Sequence, residues 1–217
     1  MPRQKLLGFT GTAYIQAAAA VAASLLACAA QGQISACGDM SNQFGPLDYR
    51  TASDADRIIV ERRHFTPNVE SLTKGETSSL GGDLSYTLKV FPNHVRALSS
   101  MARLARREKR SMPTGSDYSI DCWFERAIRF QPGDPAVRIM MGIELLRDDK
   151  FDAAIEQLKI GEELTPESAN VHYNLGLAYF DKADFDQSLR HAKRAYELGF
   201  PLPGLRDKLQ RAGKWHH

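Results

Sequence analysis

The feature that most constrains this chain is a unit of 34 residues that occurs twice in succession between positions 135 and 202. Setting 135–167 against 170–201 places Gly142 over Gly176, Leu145 over Tyr179, Phe151 over Phe185 and Ala154 over Ser188, each pair 34 positions apart. Self-similarity at that period marks a helical repeat array, because one such unit cannot bury its apolar face alone and must stack on copies of itself. A chain of this kind recognises by shape, and the repeat by itself names no ligand.

Each copy reads as two helices. Apolar residues in Val137-Arg-Ile-Met-Met-Gly-Ile-Glu-Leu-Leu146 recur at helical spacing, Asp148-Asp149-Lys150 interrupts them, and the run resumes over Phe151–Leu158 with Ile155 one turn on. Gly142 and Gly176 each cost about 1 kcal/mol relative to Ala inside a helix, which predicts close approach of a partner helix as compensation. Pro166 closes the first copy, since it has no N–H to donate and clashes with the preceding turn.

Residues 169–202 resemble the tetratricopeptide repeat. Leu175-Gly176, Ala178, Tyr179, Phe185, Ala195 and Pro201 stand in that family's Leu-Gly…Tyr…Phe…Ala…Pro skeleton. The copy at 135–168 is looser, with Met141 for Leu, Leu145 for Tyr and Gly161 for the small Ala, on unbroken spacing. The resemblance implies an all-α helix-turn-helix solenoid, coiled as a right-handed superhelix whose concave face is made by the first helix of each unit. Residue by residue, that face falls on Ile139, Ile143, Leu146 and Arg147 in one unit and Asn170, Tyr173, Asn174, Leu177 and Asp181 in the next. Such a face suits an extended peptide or a partner helix; equally, an N-terminal arm or a capping helix would fill it from within. Of the Lys/Asn/Arg clamp by which chaperone-binding members hold a terminal carboxylate, only Asn174 has a counterpart, so that ligand class is not expected.

The repeat phase also runs backwards. Pro132 precedes Pro166 by 34, and Phe91-Pro92 followed by 93–107 has the shape of a unit boundary and first helix, with Tyr118–Phe130 as its second helix. About six extra residues fall in 108–117, around Met112-Pro-Thr-Gly115. The expected plan is an irregular arm with short helices (30–80) and a repeat domain (81–217). That domain comprises a half unit (83–91), an enlarged unit (95–134), two regular units (135–168, 169–202) and a cap (203–212), which terminal repeats require. In the arm, 54–63 has a helical pattern and Thr66-Pro67 reads as a capped helix start. A second candidate surface is the basic run Arg96, Arg103, Arg106, Arg107, Lys109 and Arg110 against the single acid Glu108. Its ordinary reading is a solvated helix face; its functional reading is an anionic patch on a partner, such as lipid headgroups. The insert beside it is the most individual feature of the array.

At the N-terminus a short basic head, Pro2–Lys5, precedes an uncharged apolar run, Ala17–Ala30, ending in small residues. This is the layout of a signal peptide spanning 1–29. Two other layouts fit: a lipoprotein modified at Cys28, since Leu25-Leu26-Ala27-Cys28 resembles a lipobox, and an uncleaved anchor. Cleavage takes Arg3 and Lys5 and no acid, leaving 26 basic against 26 acidic residues, a balance that calls for no nucleic-acid partner. Export into an oxidising compartment predicts that Cys37 and Cys122 are joined, a staple across 85 positions contributing about 4–5 kcal/mol. The alternative makes Cys122, beside Trp123, a buried small hydrophobe. Phe44-Gly-Pro-Leu-Asp-Tyr-Arg50, Gly82-Asp-Leu-Ser-Tyr-Thr-Leu88 and Phe91-Pro-Asn-His94 resemble signatures of exported proteobacterial repeat proteins to which no activity is attached.

No enzymatic motif emerges. His64, His94, His172 and His191 fall at no metal-ligand spacing, His216-His217 is a terminal pair, and no phosphate loop or nucleophile context is present. A Cys122 thiol catalyst is disfavoured because its Trp-Phe neighbours bury rather than activate it. Neither cofactor nor metal is expected. The sequence points to an exported binding scaffold in a bacterial envelope assembly, with a membrane-tethered lipoprotein and a protein switched by a Cys37–Cys122 bond as alternatives.

Overall fold

The computed structural model describes residues 36–215, so the stretch 1–29 expected to be a signal peptide, Cys28 and His216-His217 lie outside the described residues. Two compact units divide at position 38; the described part of the first is the turn at 36–38, and the second runs from Asp39 onward. Cys37 and Cys122 are both disulfide-bonded.

Among the described residues there are ten helices and no strand: α1 (Asp54–His64), α2 (Pro67–Glu70), α3 (Leu80–Val90), α4 (Val95–Glu108), α5 (Ile120–Phe130), α6 (Pro135–Arg147), α7 (Phe151–Leu164), α8 (Ala169–Asp181), α9 (Phe185–Glu197) and α10 (Gly204–Arg211). None of these is long and apolar enough to cross a membrane. The fold is an all-α repeat array. α6 pairs with α7 and α8 with α9, α7 stacks on α8, and α10 packs on both α8 and α9.

The repeat is visible in backbone hydrogen bonds. Asp134 and Ser168, 34 apart, cap α6 and α8 by accepting from the N–H groups of Ala136 and Val171, satisfying donors that have no partner inside the helix. At the other end of these helices Asp149 and Ala183, also 34 apart, sit in the left-handed region at φ 56° and 60°. The next residues, Lys150 and Asp184, donate back to the Leu145 and Tyr179 carbonyls at 2.9 Å each. α4 ends the same way: Lys109 has φ 52° and Arg110 N donates to Ala105 O at 3.0 Å. Ala105 precedes Leu145 by 40 residues, so the α4–α5 unit is six residues longer than the regular period. α5 begins at Ile120, two residues later than its apolar pattern suggests, because Ser119 caps it by accepting from Cys122 N.

Three apolar clusters follow the stack. Leu84, Leu88, Leu98, Met101, Leu104, Trp123 and Phe124 fill the first, between α3, α4 and α5. Ile139, Leu158, Val171, Leu175 and Ala178 join α6, α7 and α8 in the second, while Leu189, Ala192, Leu205 and Leu209 hold the cap in the third. Gly142 is where α6 meets α7, and a Cβ there would lie 2.5 Å from Leu158 Cγ.

The N-terminal segment is tied to the array. α1 packs on α3, and Leu47 N donates to Val90 O at 2.8 Å. The buried Asn93 side chain accepts from Tyr49 N and donates to Asp48 and to the cap Asp134, at 2.9, 2.7 and 2.9 Å. Three turns distant in sequence thus share one amide. His94 caps α4, accepting from Ala97 N through Nδ1, with Nε2 3.3 Å from Glu61 Oε1 and its ring against Tyr49 and Phe65. Burial pushes its pKa down to about 4, Glu61 pulls upward and Arg96 adds to the depression.

Two outcomes follow from this packing. Gly142→Ala should destabilise the fold by about 1–2 kcal/mol by urea unfolding, because the clash with Leu158 outweighs the gain in helix propensity. Protonating His94 removes a cap acceptor. Since its folded pKa lies below the ordinary 6.5, its contribution is complete above pH 6.5 and is lost as pH falls toward 4. Stability should therefore drop by about 2–3 kcal/mol between pH 7 and 4.5 from this group, and His94→Asn, which keeps a cap, should remove that part of the drop.

Candidate functional site

The enlarged unit does something the regular ones do not. Its helices are joined by eleven residues, 109–119, where the two regular pairs use three. This connection is tightly built: Thr114 N donates to Glu108 Oε2 at 2.7 Å, Ile120 N to Ser111 O at 2.8 Å, and Trp123 Nε1 to Ser116 Oγ at 3.0 Å. It also reaches back to α3. Asp117 pairs with Lys89 at 2.6 Å, and Gly81 comes so close to the loop that a Cβ there would meet Thr114 O at 2.3 Å.

Held this way, α5 leaves a cleft of about 290 Å³ between α4, α5 and α6. Its floor is apolar: Ala102 and Ala105 from α4, Ile120 and Phe124 from α5, Met141 and Leu145 from α6. Its rim is charged, with Arg106, Arg110, Lys150, Asp121 and Asp148, and the buried Glu144 lines it as well. Met112, on the same connection, is 46% exposed.

Across this rim Arg106 reaches from α4 to α6. It meets Glu144 at 2.6 Å and Asp148 at 3.1 Å; Glu144, almost fully buried, also receives Arg147 at 2.6 Å and Ser99 Oγ at 2.8 Å. Burial opposes the Arg106 charge, but the two carboxylates outweigh it and hold its pKa above the ordinary value.

Three other arginines of the run hold the N-terminal segment. Arg103 donates to the Glu70 carbonyl and Arg107 to that of Leu72 at 2.6 Å, while Arg96 holds the Glu70 carboxylate; together they fasten the α2 region to α4. Lys109 is the left-handed cap of α4, and Arg110 lies 3.4 Å from Thr114 Oγ1. The run is thus no single open patch: Arg106 and Arg110 line the cleft, and Arg96, Arg103 and Arg107 face the N-terminal segment.

The residues expected on the concave face divide similarly. Ile139 is buried in the second cluster, and Ile143 and Leu146 pack against it. Arg147 pairs with Glu144, and Asn174 donates to the side chain of the exposed Asn170 at 2.7 Å. The remaining three meet the C-terminal segment. Tyr173 stacks on Phe200 with ring centroids 3.9 Å apart, Leu177 packs on the cap cluster, and Asp181 pairs with Lys208 of α10 at 3.1 Å. Sequence reasoning missed the floor residues Phe124, Met141 and Leu145; the available signal was the six-residue insertion, which marks the one place where α5 cannot follow the regular packing.

A family model for the TPR repeat matches residues 145–182, from the end of α6 through α8. No curated protein matches the sequence. Two similar solved structures are MamA of MSR-1, with 19% identity over 69% of this chain and 82% of that one at a TM-score of 0.44, and MamA of AMB-1, with 17% identity over 75% and 85% at 0.48.

The Arg106–Glu144 contact has a measurable strength. Arg106→Met should cost about 1–2 kcal/mol in urea, a discounted figure because Arg106 is partly exposed and Arg147 still serves Glu144. Adding Glu144→Leu should recover part of that loss, giving a coupling of about 1 kcal/mol in a double-mutant cycle.

Proposed function

We infer that this chain, a tetratricopeptide-repeat protein, is a scaffold that docks an extended segment of a partner protein in the cleft between α4, α5 and α6. The observation that carries this reading is the pairing of an apolar floor with a rim of both charge signs. A cleft of that volume takes one or two side chains, and the rim offers hydrogen-bonding groups to the flanking backbone. The rest of the expected concave face supports the reading by contrast, since Tyr173, Leu177 and Asp181 already engage Phe200 and the cap. The scaffold acts in a bacterial envelope: the basic head and uncharged apolar run of 1–29 support export, and the disulfide-bonded Cys37 and Cys122 suit an oxidising compartment.

Placing a photo-crosslinking residue at Leu145 should give a discrete adduct with one partner in the native host's envelope fraction, and the same residue at Arg211 should give none. Leu145→Arg should abolish capture of that partner without a matching loss of thermal stability. An equal yield from both positions contradicts the reading. A chain starting near Ala30 by intact mass supports export as a free protein; one starting at Cys28 with acyl chains moves the same scaffold onto a membrane.

A further inference from the structure

Away from the cleft, three side chains from three helices converge. Glu162 on α7, His172 on α8 and His191 on α9 are separated by 10 and 19 positions, spacings that no single-helix metal motif uses. Their ligand atoms are nevertheless close: His172 Nδ1 lies 3.2 Å from His191 Nδ1 and 3.4 Å from Glu162 Oε1, and His191 Nδ1 lies 3.8 Å from the same oxygen. A tetrahedral ion with ligands at about 2.0–2.2 Å sets its ligand atoms about 3.3–3.6 Å apart. Two edges of this triangle match that geometry, and the third, His191 Nδ1 to Glu162 Oε1 at 3.8 Å, is slightly longer.

The surroundings also fit. His172 Nε2 lies 2.9 Å from the Pro166 carbonyl, which can only accept, so the proton sits on Nε2 and Nδ1 presents a lone pair. Both imidazoles are almost fully buried while Glu162 is partly exposed, at the bottom of an open depression of about 420 Å³. Arg190, Lys193, Arg194 and Glu197 edge that depression, and its three cations favour a water or an anionic group in a fourth position.

We propose that Glu162, His172 and His191 form a binding site for a divalent first-row transition ion of the zinc class, tying the 135–168 and 169–202 units together through α7, α8 and α9. Without the ion the two imidazoles make a satisfied chain. Arg190, a donor only, faces His191 Nε2 at 3.3 Å, so His191 Nδ1 carries its proton toward His172 Nδ1. On binding, that proton moves through solvent to Nε2 as the ring changes tautomer, and the exposed Arg190 swings aside. Two imidazole nitrogens and one carboxylate oxygen favour Zn²⁺, Co²⁺ or Ni²⁺ over Ca²⁺ or Mg²⁺, which prefer oxygen ligands alone.

The test uses the metal-free chain with Zn²⁺ and Co²⁺ as probes. Titration should show one tight equivalent, Co²⁺ should develop the intense visible bands of a tetrahedral site, and Zn²⁺ at a hundredfold excess over its Kd should raise Tm by about 5–10 °C. Binding should weaken at least tenfold in Glu162→Gln and be lost in His191→Gln, yet persist in a His216→Ala/His217→Ala chain. Glu162 is partly exposed, so its variant folds even where the histidine variant does not, and metal-free circular dichroism checks both. Absence of the visible bands, binding unchanged in Glu162→Gln, or binding that disappears with the terminal histidines overturns the proposal.

Discussion

Everything in this structure depends on the inability of one helix pair to cover its own apolar surface. α6 and α7 meet closely at Gly142, yet Ile139, Leu158 and their neighbours are sealed only when α8 supplies Val171, Leu175 and Ala178. The same demand passes along the stack and must be met at both ends. At the C-terminus α10 meets it with Leu205 and Leu209. At the N-terminus α1 and the segment around Leu47–Tyr49 meet it, fastened by Asn93 and by arginines of α4 that reach the carbonyls of residues 70 and 72.

Between the closed ends the enlarged unit keeps an open cleft. The six-residue insertion keeps α5 from the close pairing that α7 and α9 make with their partners, and the gap becomes a cleft with an apolar floor. The long connection is itself well satisfied, through Ser116, Glu108 and Asp117, so the cleft is a built feature and not a fault in the repeat. Within its charged lining Arg106 pairs with Glu144 and Asp148, groups that can exchange partners on binding.

The regular units were legible in the sequence because their constraints are local and repeated. Gly142 and Gly176, the caps Asp134 and Ser168, and the turns ending at Lys150 and Asp184 all sit at one spacing, and each reflects a backbone requirement of a single helix end or crossing. The use made of the arginines was not legible, because Arg103 and Arg107 bond main-chain carbonyls, which leave no mark on composition. The covering of Tyr173 and Leu177 by Phe200 and α10 was one of two readings the sequence left open, because those residues have the apolar character of an open groove and of a covered one alike. Glu162, His172 and His191 meet only through the stacking of three helices, so pairwise sequence spacing had nothing to report.

The proposed docking holds the partner at the enlarged unit and not along the capped C-terminal face. Hydrogen–deuterium exchange on the free chain and on its purified complex tests it most directly. New protection is expected at 102–106, 109–124 and 141–150, with α8 to α10 unchanged. Protection confined to 170–181 and α10, with the cleft segments exchanging as in the free chain, would contradict it.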